Sequence, residues 1–211
     1  MEAIGETWTS AEDRSLSRRI GGVAKRLLNP DGKRKNKKER PLWQYNGSMS
    51  KRYDPDVAAS ELLDECWDGL LPVDPVRVAQ SLGVKVLDAS LNEDVSGALV
   101  KKEGADPSIL LSATDSRNRK RFTCAHELGH FIRRSDEPEK YEYVDYRDQQ
   151  SSTGTVEEER FANSFAANLL MPELLVKSLH DQGLPDFRMA KKFGVSQEAM
   201  QYRLENLGLA R

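Results

Sequence analysis

Apolar positions after residue 53 fall into short blocks of helical or alternating period; before it they organise poorly. Asp54-Pro55 sets an N-cap residue ahead of a proline at the first helical position. Val57, Ala58, Leu62, Cys66 and Leu70 then recur on one face. Asp74-Pro75 repeats this start, with Val78, Ala79 and Leu82 apolar and Gly83 as the stop. Three short strands are predicted next, at 84–89, 97–101 and 108–112, separated by turn residues that include Asn92 and Gly104-Ala105-Asp106-Pro107. From 115 onward the pattern is helical, interrupted by a charged loop at 135–154. Two helices, a small three-stranded sheet and then further helices predict an α+β fold.

The first 52 residues read differently. Thr9 and Glu12 have capping-box spacing, and Leu16, Ile20, Val23, Ala24, Leu27 and Leu28 follow at roughly helical intervals. Gly21-Gly22 interrupts that helix and Asn29-Pro30-Asp31-Gly32 stops it. The stretch 33–40 is basic with no apolar residue, and reads as a solvated tether. Charge sharpens the division. Residues 1–52 hold 13 Lys and Arg against 6 Asp and Glu, a balance of +7, whereas the remaining 19 basic and 28 acidic residues leave −9. A basic arm precedes an acidic body, so nucleic acid would be met weakly, through the arm. The two cysteines, Cys66 and Cys124, exclude a disulfide framework and fit a reducing cytoplasm. Neither a membrane-spanning segment nor a signal-peptide layout is expected in the 211 residues.

The chemistry concentrates in His126-Glu127-Leu128-Gly129-His130, the pattern H-E-x-x-H, in a helix whose buried side is expected to hold Phe122, Ala125, Leu128, Gly129 and Ile132. Imidazoles at i and i+4 project from one helix face and can hold one metal ion. Glu127 stands beside them, placed to take a proton from water. Two of the chain's three histidines lie in this motif. A catalytic zinc needs a third protein ligand, and the helix that opens at Thr155 offers three acids. Thr155 and Glu158 form a capping box, Glu157 suits the helix dipole, and Glu159 shares a face with Asn163 and Ala166. Glu159 is therefore the expected ligand. Ala162, Ala166 and Ala167 would let this helix approach the first closely.

His126–His130, followed by Glu159-Arg-Phe-Ala-Asn163-Ser-Phe-Ala-Ala-Asn-Leu-Leu-Met-Pro172 and by Phe193-Gly-Val-Ser-Gln-Glu-Ala-Met-Gln-Tyr-Arg-Leu-Glu-Asn-Leu-Gly208, resembles the ImmA/IrrE family of zinc metallopeptidases. The likeness covers about 53–209 and implies zincin-like helices, with Zn2+ on His126, His130 and Glu159 and with Glu127 as the base. It also implies that Asn163, four residues after the third ligand, orients a metal-bound histidine. A domain organisation follows: a basic arm at 1–52, a zincin-like metallopeptidase domain at 53–183, and a C-terminal helical segment at 184–211 packed on it.

Weaker candidates remain. His180 lies in a helix over 173–182 that Pro172 starts and Gly183 ends, far from the motif. Cys124 points off the ligand face and reads as an inert buried thiol. Tyr141, Tyr143 and Tyr146 lie in the charged loop, where one could support an oxyanion, although a solvated loop is the plainer reading. The stretch 187–208 resembles a helix-turn-helix, with Ser196 as cap and Ala199, Met200, Leu204 and Leu207 as its stripe. Gln197, Gln201 and Arg203 would offer base-reading groups, but Glu198 and Glu205 flank them, which favours packing or partner recognition. By resemblance the substrate is a helix-turn-helix transcriptional repressor. Two alternatives belong to other classes: a regulatory binding protein that sequesters a repressor without cutting it, and a DNA-binding regulator.

Overall fold

The computed structural model describes residues 54–101, 105–134, 143–148 and 155–210, with 143–148 described as backbone alone. The N-terminal helix, the basic tether and Tyr141 lie outside the described residues. The element order is α1 (Pro55–Cys66), α2 (Pro75–Ser81), β1 (Lys85–Ala89), β2 (Val95–Lys101), β3 (Ser108–Ser112), α3 (Arg117–Arg134), β4 (Tyr143–Asp148), α4 (Val156–Leu170), α5 (Glu173–Asp181), α6 (Asp186–Phe193) and α7 (Gln197–Asn206). The fold is α+β.

Local chemistry sets most boundaries. The Asp54 carboxylate accepts from the backbone N–H groups of Asp56 and Val57 at 2.9 and 3.3 Å, and Asp74 does the same for Val76 and Arg77 at 3.0 and 3.4 Å. Each satisfies two of the donors that a helix start leaves open, with proline supplying the preset φ. Thr155 and Glu158 close the expected capping box at α4. Helix α6 ends at Gly194, whose φ of 65° is the left-handed cap that glycine adopts without strain.

The sheet has the order β1-β3-β2-β4. β1 runs parallel to β3, and β2 is antiparallel to both β3 and β4. The three expected strands are present, although β2 starts at Val95, two residues before the expected start. The loop expected over 135–154 is corrected in part, because Tyr143–Asp148 forms the fourth strand at the sheet edge. Its Tyr-Val-Asp-Tyr core has β-forming residues that the surrounding charges disguised.

Helix α3 lies at the centre of the described residues 71–210. It packs on α4, on β2 and β3, and on α2. Every residue from Thr123 to Phe131 is consequently buried. The expected one-sided stripe is corrected, since Phe122 and Ile132 are only half-buried and the motif is enclosed all round. Contact with α4 is close: a Cβ at Gly129 would lie 3.0 Å from Ala162 Cα and 3.1 Å from Phe165 Cδ1, so a larger residue would need α4 to give by a few tenths of an ångström. Ala162 and Ala166 are fully buried in this seam.

Two arginines tie the C-terminal helices to this centre. From α3, Arg121 donates through Nε to Gly194 O at 3.0 Å, and through a terminal nitrogen to Val73 O and Phe193 O at 2.7 and 3.3 Å. A cation there meets the carbonyl end of α6, where the helix dipole favours it. From α7, Arg203 reaches Met171 O at 3.1 Å and Asn168 Oδ1 at 2.6 Å. Arg203 is buried, which corrects its assignment to the exposed face. That face presents Gln197, Gln201, Glu198 and Glu205 and has no basic residue.

Candidate metal centre

His126 and His130 sit one turn apart on α3, with exposures of 1% and 3%. Their Nε2 atoms are 3.0 Å apart. From α4, Glu159 brings one carboxylate oxygen to 3.4 Å from His126 Nε2 and the other to 3.3 Å from His130 Nε2. One atom from each of the three residues lies within 4.8 Å of the others, and this is the one group of metal-ligand side chains among the described residues.

The neighbouring acids are otherwise engaged, which leaves Glu159 as the acid that meets the two imidazoles. Glu157 points to Arg133 at 3.1 Å, and that guanidinium also lies 5.5 Å over the Phe161 ring. Glu158 accepts from the Thr155 backbone N–H at 2.7 Å. Hydrogen bonds from His126 and then His130 hold the Glu159 carboxyl well below the usual carboxylate range, against the opposing effect of burial. It stays an anion at neutral pH.

Asn163, one turn after Glu159, accepts from His126 Nδ1 at 3.0 Å. That bond places a proton on Nδ1 and leaves Nε2 as the ring nitrogen that faces Glu159. His130 Nδ1 has no hydrogen-bond partner among the described residues. Two imidazole nitrogens and a carboxylate therefore converge, with no Lys or Arg ion pair to the carboxylate among the described residues. A cluster of that composition is short of positive charge at its centre, and a divalent cation fits it. The nitrogen and oxygen donors suit zinc.

Glu127 is 1% exposed, on the flank of α3 that meets β2. Sequence reading overlooked the residues it lies among. A Cβ at Gly97 would be 3.7 Å from Glu127 Oε1 and 2.3 Å from Thr123 Cγ2. The signal that could have found them is Thr123 at i−4 from Glu127. The other candidates stay apart from the cluster. Cys124 is fully buried and burial pushes its thiol up to about 12, as expected of an inert cysteine. His180 lies on α5, 3.7 Å from Asp181. The side chains of Tyr143 and Tyr146 are outside the described residues.

The family model of the peptidase M78 family, described as the IrrE N-terminal-like domain, matches residues 79–205. The chain belongs to this peptidase family. The matched stretch contains α3, α4 and all of the converging side chains, and it extends into α7. None of the curated proteins matches the chain. Among the described residues, no helix is long and apolar enough to cross a membrane.

Proposed function

We propose that this family member is a zinc-dependent endopeptidase whose substrate is a protein, specifically a helix-turn-helix transcriptional repressor. The observation that carries the reading is the convergence of His126, His130 and Glu159 on one point, with the buried Glu127 next to His126 in the chain. His126, His130 and Glu159 would hold the ion. Bound zinc supplies Lewis acidity, which polarises the scissile carbonyl and brings the pKa of water down to about 7. Glu127 accepts the proton of the attacking water and returns it to the leaving amine. Asn163 keeps the His126 ring in the tautomer and orientation that present Nε2.

In this reading residues 53–183 form the catalytic domain, 184–211 support it, and the basic arm at 1–52 is available for weak contact with nucleic acid. Catalysis takes place in the cytoplasm. The repressor assignment follows from the family resemblance.

The test is co-expression with the regulator encoded beside this gene, followed by intact-mass measurement. Wild type should convert the regulator into two fragments, and Glu127→Gln should leave it whole while keeping its metal. A glutamine is nearly isosteric but does not accept the proton. Repression lifted equally well by Glu127→Gln, with no fragments formed, would instead make the protein a sequestering regulator.

A further inference from the structure

Strand β2 contains an irregularity next to the site that the peptidase reading does not use. Val95 pairs with Asp148 and Ala98 with Tyr146, so β2 has two residues, Ser96 and Gly97, where β4 has one. This is a β-bulge, a feature that re-aims a strand locally. It faces one stripe of α3, because Arg119, Thr123 and Glu127 follow each other at i, i+4 and i+8. Arg119 Nε donates to Ser96 Oγ at 2.9 Å, and Ser96 is 5% exposed. Opposite Gly97 lies the fully buried Thr123.

Gly97 is there for proximity. A Cβ on it would lie 2.3 Å from Thr123 Cγ2, 3.0 Å from Leu110 O and 3.7 Å from Glu127 Oε1. The threonine methyl has little room to yield, since a β-branched side chain in a helix is stiff at χ1 and this one is enclosed. Leu110 O belongs to the neighbouring strand. Any side chain at 97 therefore pushes β2 away from α3 or turns Thr123, and both movements displace the wall beside Glu127.

We propose that the Ser96–Gly97 bulge, pinned by Arg119 and seated on Thr123, is a positioning device that fixes the Glu127 carboxylate beside the metal centre. Gly97, Ser96 and Thr123 are positioning residues; Glu127 remains the catalytic one. The proposal rests on Glu127 being the base.

The test uses the full chain loaded with zinc, as wild type, Gly97→Ala, Gly97→Ala/Thr123→Ser and Glu127→Gln. It reads metal content, thermal midpoint and the affinity for acetohydroxamic acid, a small metal-chelating acid whose proton an adjacent carboxylate accepts. Gly97→Ala should keep its full zinc yet bind the probe roughly tenfold more weakly, moving toward Glu127→Gln, because sub-ångström placement governs such proton acceptance. The double variant should recover part of the affinity, since serine keeps the hydroxyl and lacks the methyl that the added Cβ meets, while the contact with Leu110 O remains. Wild-type affinity in Gly97→Ala, or a loss that Thr123→Ser leaves unchanged, would overturn the proposal. If Gly97→Ala does not fold, Ser96→Ala adds no bulk and decides the matter: weaker probe binding with full zinc supports the device, and unchanged binding overturns it. Wild type that takes up no zinc would remove the metal reading itself and this proposal with it, and it is recognised before any variant is compared.

Discussion

Helix α4 carries two polar clusters, one on each half, and they are built to opposite rules. Near its C-terminal end, Asn168 donates to Asp56 and to Ser164 O, and its own carbonyl accepts from the buried Arg203, which also donates to Met171 O. Cation, amide and anion complete one another, so the cluster joins α1, α4 and α7 without any guest. Near the N-terminal end, Glu159 meets two imidazole nitrogens and, among the described residues, no lysine or arginine. Burial alone does not distinguish the clusters. Charge balance does: the complete cluster needs no guest, and the other is compatible with a metal ion.

Substitutions should separate the two by what each one loses. The largest effect is expected from Glu159→Ala, which removes the anionic ligand. It should lose most of its bound metal in elemental analysis while the cooperative melt of the metal-free chain persists. Full occupancy in that variant would pass the third position to another acid. Asn163→Ala comes next. It leaves all three ligands in place and frees the His126 ring, so metal affinity from competition with a chelator should fall by about 10–100-fold.

Arg203→Met tests the complete cluster. It strands Asn168 Oδ1 and Met171 O, and should lower unfolding stability by about 2 kcal/mol in denaturant titration, with metal content unchanged. A loss of metal in Arg203→Met would mean that the two halves of α4 are coupled and the comparison is wrong. The smallest effect concerns Cys124. Its thiol is pushed up to about 12 by burial, so the reactive thiolate is scarce at any pH below that value. A thiol reagent at pH 8 should modify the half-exposed Cys66 and reach Cys124 only after unfolding, as peptide mapping would show.

The half of the molecule with the candidate metal cluster was more legible in the sequence than the Arg203 cluster, and the reason is range. His126, Glu127 and His130 lie within one and a half turns, and Thr155 with Glu158 is a local capping pattern, so spacing alone located them. Glu159 followed because its two acidic neighbours had local tasks, the capping box and the helix end; the ion pair of Glu157 with Arg133 emerged only in three dimensions. Asp56, Asn168 and Arg203 are separated by 112 and 35 positions. No periodicity announces such a triad, and Arg203 was therefore read as a surface residue. Strand β4 was missed for a related reason: its partner β2 lies over forty positions away, and pairing of its backbone outweighs the charges that suggested a loop. Gly97 at the start of a strand pattern is compatible with a bulge or a close approach, but which element approaches it emerges only with α3 in place.

A cation that completes the cluster at His126, His130 and Glu159 is what the proposed chemistry requires. Elemental analysis of the full chain, purified without chelators, tests this most directly. It should find close to one equivalent of zinc per chain in wild type and in Glu127→Gln, and little in His126→Ala. A wild-type protein that is folded, has all three residues intact and takes up no divalent metal when zinc is supplied would contradict it.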